Sequence, residues 1–193
     1  MLVMTLALIA ITEAAAQQRR VGVVDFLQGS ASVTRPPAAS RPLILNEDVF
    51  ASDTIVTASD SKAVIQFSAE ASVVLGYRSV VTISEESTGV ILELNDGLVN
   101  YRASRRANPD PEPQAIRSPN ATARTIGGLL VSVNRDEALA IVTTVCALEG
   151  AGSATVPAGA TVDFAEGHCV KVTGSTLGTP CPVLLAPVPV PIR

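Results

Sequence analysis

NEDVFASDTIVTASDSKAVIQFS, residues 46–68, is the stretch that decides the fold. Ile55, then Ala63, Ile65 and Phe67, sit in alternating runs with small polar residues between them. A period of two is the signature of a strand with one buried face, because successive side chains point to opposite sides. Asn46-Glu47-Asp48 and Ser59-Asp60 interrupt the alternation with residues whose side chains bond turn backbones. No histidine, cysteine or glycine-rich loop occurs in it. The stretch reads as scaffold.

Working outward, the same rhythm continues. RVGVVDFLQGSASVTR alternates on both sides of Gly29. KAVIQFS and SVVLGYRSVVTI read as strands flanking Ala69-Glu70, with a corner at Gly76-Tyr77-Arg78. GVILELNDGLVNYRA carries Asn95-Asp96-Gly97 between apolar runs, which predicts a hairpin. SRRANPDPEPQ breaks the pattern with prolines and charge and is expected to be an exposed loop. The one rival to strand is DEALAIVTTVCALEG, where Asp136-Glu137 offers a helix cap. Its centre, Ile141 to Val145, is five β-branched residues in a row, which lose side-chain freedom in helices and suit strands. Short strands at roughly ten-residue spacing predict an all-β fold: a sandwich, a barrel or a short solenoid.

Composition narrows the function classes. The 193 residues are 47% hydrophobic, carry a net charge of −4, and include no Trp, two Tyr and four Phe. So few ring faces argue against a sugar cleft or a base-stacking platform. Nucleic acid is not an expected partner, since no basic face is available to neutralise phosphates. No cofactor and no metal site is expected.

Residues 1–16, MLVMTLALIAITEAAA, read as a signal peptide. The apolar run is too short for a bilayer, which takes about 20 residues, and small residues before Gln17 supply a cleavage site. No Lys or Arg precedes the run. A periplasmic or extracellular location is therefore expected, with no membrane span in the mature chain. The three cysteines, Cys146, Cys169 and Cys181, permit one internal bridge at most and match no zinc or Cys-x-x-Cys spacing. Cys169–Cys181 is the first expected pairing; Cys146–Cys169 and an unbridged chain are the alternatives. His168, the lone histidine, is adjacent to Cys169, and neighbours on a strand face opposite ways. That opposes a Cys–His dyad.

Several short motifs recur in order. Asn46 to Thr57 follows a G-D-x-L-x-x-G-D-x-I-x-T pattern, with Asp53, Ile55 and Thr57 matching and Asn46 and Ser52 standing where glycines are usual. Ser61 to Phe67 follows G-x-A-x-L-x-F, and Gly76, Ser79, Val81 and Ile83 continue a second strand motif. Ser118, Pro119, Ala121, Ala123 and Gly127 fit a T-P-x-A-x-A-x-V-R-G-T segment. Thr143, Val145, Leu148, Glu149 and Gly150 fit T-x-V-x-V-L-E-G, and Ala158-Gly159 a closing turn. Together these resemble the FecR domain family, over residues 20–172. The resemblance implies an all-β domain, sandwich or solenoid-like, at residues 20–172, followed by a Pro-rich tail at 173–193. It also implies a periplasmic module that passes signals by protein–protein contact. The family's founding regulator adds an anti-sigma segment and a membrane-spanning helix. Neither is read here, so a stand-alone binding module for a protein or cell-envelope component is expected.

Candidate contact residues are Tyr101, Arg102, Arg105 and Arg106, the one local basic cluster, which offers charge-assisted bonds to an anionic partner. The acidic pairs Glu85/Glu86, Asp110/Glu112 and Asp136/Glu137 are read as solvated turns, and Asp53, Asp60 and Asp96 as turn caps. Two rival functions remain: a sensor that docks on a membrane-spanning regulator through its tail, and an envelope polysaccharide-associated protein or hydrolase.

Overall fold

The computed structural model describes residues 18–87, 89–103, 115–125 and 127–183, and every regular element among them is a strand. The first eight are β1 (Arg20–Gln28), β2 (Ala31–Thr34), β3 (Arg41–Pro42), β4 (Asp48–Phe50), β5 (Thr54–Thr57), β6 (Lys62–Ser68), β7 (Ala71–Leu75) and β8 (Val80–Glu86). The long β9 (Gly89–Ala103) follows, then β10 (Ala115–Arg117), β11 (Thr122–Thr125), β12 (Gly128–Arg135) and β13 (Ile141–Glu149). The last five are β14 (Gly152–Thr155), β15 (Thr161–Phe164), β16 (His168–Thr173), β17 (Thr176–Leu177) and β18 (Cys181–Pro182).

Their pairings form two ladders. The first runs β4-β1-β6-β7-β9-β12-β13-β16, with β17 and β18 on its last edge. The second runs β3-β2-β5-β8-β9-β10-β11-β14-β15. All contacts are antiparallel except the β9–β10 pair. Neither ladder closes into a barrel. Strand β9 belongs to both: Gly89 to Asp96 pairs with β8, and Gly97 to Ala103 with β7 and β12. Elements before β9 lie on one side of it in both ladders, and elements after it on the other.

The hairpin expected at Asn95-Asp96-Gly97 is therefore a bulge instead. The register shifts between Val80↔Asp96 and Val81↔Leu94, so Asn95 is the extra residue. Gly97 has φ +91°, and a Cβ there would lie 2.5 Å from the Cα of Ser79. Asp-Gly chemistry supplies the positive φ that either a turn or a bulge needs. The buried apolar residues on both sides decide in favour of the bulge, because each half of β9 has a ladder to enter. The Gly29 turn similarly carries the chain from β1 in one ladder to β2 in the other.

One hydrophobic cluster joins the inward faces of both ladders. Val24, Ile65, Leu75, Val99 and Val145 come from the first; Ile55, Val81, Ile83, Leu92 and Leu94 from the second. Each such side chain contributes roughly 1.5–3 kcal/mol on burial. The β-branched run from Ile141 forms β13, as the strand reading requires, and Asp136 caps the preceding turn by accepting from Ala138 N and Ala140 N, both at 2.9 Å. The ordered fold continues past residue 172, where the tail was expected to begin. β16 runs to Thr173, and β17 and β18 pair against it. The Pro at position 182 is tolerated because β18 is an edge.

Candidate interaction surface

The residues that look chemically active in the sequence are held inside the scaffold. Asp53 has 0% exposure. Its carboxylate accepts from Arg35 Nε at 2.7 Å, from Arg35 Nη2 at 2.8 Å and from Phe50 N at 2.9 Å. Arg35 also donates to Asp48 O and stacks 4.0 Å from the centre of the Phe50 ring. The hydrogen bonds that Arg35 donates to Asp53 raise the Arg35 pKa above its ordinary value, against the opposing effect of burial. This fork-to-carboxylate clamp fastens the β2–β3 connection to the turn before β5. Asp53 caps a turn, as expected, but nothing in the local pattern of Thr34-Arg35-Pro36 marks Arg35 as its partner.

Two buried hydroxyl clusters tie the ladders together. Thr57 Oγ1 donates to Gly76 O at 2.6 Å and accepts from Ser79 N at 2.9 Å, while Ser79 Oγ bonds Leu98 through both O and N at 3.0 Å. Beyond β9, Asn120 Nδ2 donates to Ile141 O at 3.1 Å and Val172 O at 3.3 Å. Its Oδ1 accepts from Thr143 Oγ1 at 2.5 Å, and Ser118 completes the set. An amide nitrogen committed to two buried carbonyls has no room for a glycan, although Asn120-Ala121-Thr122 spells an acceptor sequence.

Ile55 fills the core, and the other signature positions are structural as well. Gly76 N donates to Leu98 O at 2.8 Å. Gly127 packs so tightly that a Cβ would lie 2.2 Å from Glu149 O. Pro119 lies in the turn between β10 and β11, and Gly150 and Gly159 occupy turns at φ +77° and +90°. The acidic pairs within the described residues have separate partners or solvent: Arg19 binds Glu85 at 3.0 Å and Arg117 binds Glu86 at 2.9 Å. Among the described residues no three His, Cys, Asp or Glu side chains gather into a metal-binding group. No helix there is long and apolar enough to cross a membrane.

Of the expected contact cluster, Tyr101 and Arg102 lie among the described residues, and they do not share a face. Tyr101 is only 2% exposed, because its parity on β9 points the ring into the core opposite Val73 and Leu129. Burial pushes its phenol up to about 12, and its hydroxyl has no partner among the described residues. Arg102, one residue on, projects from the opposite face and is exposed. Arg105, Arg106, Asp110 and Glu112 lie outside the described residues. The cysteine pairing is also corrected: the bridge joins Cys146 to Cys169, while Cys181 is free and exposed. Cys146 and Cys169 stand opposite each other on β13 and β16, which the sequence spacing did not reveal.

Among the described residues, one concave surface lies in the N-terminal half. An open groove of about 450 Å³ runs over β2, β3 and β5, lined by Ser32, Ser40, Arg41, Pro42, Val56 and Ala58 among others. Val56 is in its lining, and Tyr77, at 64% exposure, lies in the turn that Arg78 N ties to Ala58 O at 3.0 Å. Ile44, Leu45, Phe26 and Leu139 are also exposed, outside that lining. A concavity with an exposed apolar side chain in its lining is a candidate contact site. Sequence reading missed it because Val56 and Tyr77 look like ordinary strand and turn residues. No family model matches the chain, and no curated protein matches it.

Proposed function

We propose that this chain is an exported, non-enzymatic β scaffold of the FecR-like kind that works by contact with a protein or other cell-envelope component. The observation that carries the reading is the division of labour just described. Buried polar side chains serve turn caps and inter-ladder clamps, while the β2–β3–β5 groove presents the exposed Val56 together with Ser32, Ser40 and Arg41. Two further facts support it. Asn46 and Ser52 hold φ of +62° and +78°, the conformation that glycine takes most easily, at the two positions where the family pattern has glycine. The Cys146–Cys169 bridge suits an oxidising compartment outside the cytosol.

Contact through this surface uses Val56 and Pro42 for apolar burial and the groove's hydroxyls and Arg41 for orientation. The test is site-specific photo-crosslinking in cells that make the protein, with the reactive residue at position 56 or at position 102. A discrete adduct from position 56, lost when Tyr77→Asp is added, is the expected result. Adducts confined to position 102 would overturn the placement. Sequencing the mature N terminus checks export: cleavage before Gln17 is expected, and an unprocessed Met1 in the cytosol would contradict it.

A further inference from the structure

Three cysteines occupy one row across three neighbouring strands. Cys146 on β13 stands opposite Cys169 on β16 and is bonded to it; Cys181 on β18 stands opposite Cys169 on its other side. Directly opposed residues of antiparallel strands project to the same face. That face is the outer one, since the neighbouring pair Val145↔Val170 is buried in the core. Cys181 is exposed and unbridged, and its Sγ lies 3.6 Å from Cys169 O.

The backbone fixes how close Cys181 stands. Gly167 O accepts from Val183 N at 2.7 Å, and Lys171 O accepts from Gly178 N at 2.8 Å. Cys169, midway between Gly167 and Lys171, therefore turns its hydrogen-bonding edge toward β18. Hydrogen-bonded antiparallel pairs hold their Cα atoms about 5.5 Å apart. This is inside the window of about 4.4–6.8 Å that a disulfide spans. Cys169 thus has a cysteine within bridging reach on each side and can bond only one at a time.

We propose that this row is a thiol–disulfide exchange site. The thiolate of Cys181 attacks the Sγ of Cys169; the Cys169–Cys181 bond forms as the Cys146–Cys169 bond breaks. Cys146 leaves as a thiolate and takes up the proton that Cys181 released. The number of bridges is unchanged, so no oxidant or reductant enters. Exchange moves the free thiol from an exposed position to one only 6% exposed, which withdraws it from external disulfide partners. It also fastens the two-residue β18 covalently to β16. The chain then has two isomers, one with a thiol open to solvent and one with its C-terminal strand pinned.

The experiment uses the full chain, carrying its single bridge, incubated without reductant. Samples are acid-quenched, labelled with a thiol-specific alkylator and mapped after cleavage at glutamate and lysine. Glu149 and Glu166 separate Cys146 from Cys169, and Lys171 separates Cys169 from Cys181. Label at Cys146 is expected to rise as label at Cys181 falls by the same amount, at a rate independent of protein concentration. In Cys181→Ser the label at Cys146 should vanish, and Cys146→Ser in glutathione disulfide should bridge 169 to 181. Label confined to Cys181 throughout would overturn the exchange, as would Cys146 labelling that survives Cys181→Ser. Two persistent free thiols in Cys146→Ser would overturn it as well.

Discussion

Replacing Asp53 by Asn keeps the shape of a fully buried side chain and removes only its charge. Arg35, whose side chain is 26% exposed, is then left half-desolvated without its paired carboxylate. Of the two bonds at 2.7 and 2.8 Å, the amide oxygen can accept one, without a counter-charge, and the amide NH2 cannot accept the other. Bonds to charged groups contribute roughly 1.5–3 kcal/mol each, and removing one partner of a buried pair costs about 3–5 kcal/mol. Because Arg35 retains some water, the lower end applies, about 3 kcal/mol. Arg35→Met should cost at least as much, since the carboxylate it abandons has no exposure at all. The double variant should recover much of the loss, because a neutral pair of similar volume leaves no orphan charge. For a domain of this size, 3 kcal/mol corresponds to a fall in Tm of roughly 6–12 °C. Urea unfolding at neutral pH, followed by circular dichroism across the four-member cycle, measures it. Single-variant losses under about 1 kcal/mol, or losses that simply add, would show that the clamp is not a coupled unit.

Three smaller tests follow from the same geometry. Ser52→Gly should stabilise the fold by about 0.5 kcal/mol, since it relieves a left-handed residue at φ +78° while giving back some unfolded-chain entropy; calorimetry showing a lower Tm would contradict this. Tyr101→Phe should be neutral or stabilising by up to about 1 kcal/mol in chemical denaturation, because the buried hydroxyl has no partner among the described residues; a loss above 1 kcal/mol would reveal one. The same phenol, raised from 10.0 to about 12 by burial, contributes stability below pH 10 that fades as pH climbs toward 12, and the Phe variant should lack that alkaline slope. Glu47 is held below its ordinary 4.5, chiefly by its hydrogen bond with Arg41, so its contribution is complete above that value and disappears as pH falls through the lowered one. The advantage of wild type over Glu47→Gln should therefore shrink in acid; an advantage that grows would reverse the sign.

Strand identity was legible because the signal is local. Alternation at Ala63, Ile65 and Phe67, and the β-branched run at Ile141 to Val145, needs no knowledge of distant partners. Turn sites were legible for the same reason, as Gly29 and Gly76-Tyr77-Arg78 show. Partnership was not. Asn95-Asp96-Gly97 has identical chemistry in a hairpin and in a bulge, and only the two ladders waiting for the halves of β9 distinguish them. Arg35 meets Asp53 across 18 residues, and Cys146 meets Cys169 across 23, neither at a spacing that a motif records. Tyr101 and Arg102 were grouped by adjacency, whereas the strand's period of two sends them to opposite faces. The groove at β2, β3 and β5 arises from three separate segments and has no linear signature.

If β9 is the shared spine of both ladders, the whole domain must open together. Amide hydrogen exchange resolved along β9 is the decisive measurement. Val90 to Ala103 should exchange with one common opening free energy, equal to that of buried strands on both sides such as β6 and β13. A break at Gly97, with Val90 to Leu94 following one half of the molecule and Val99 to Tyr101 the other, would contradict it.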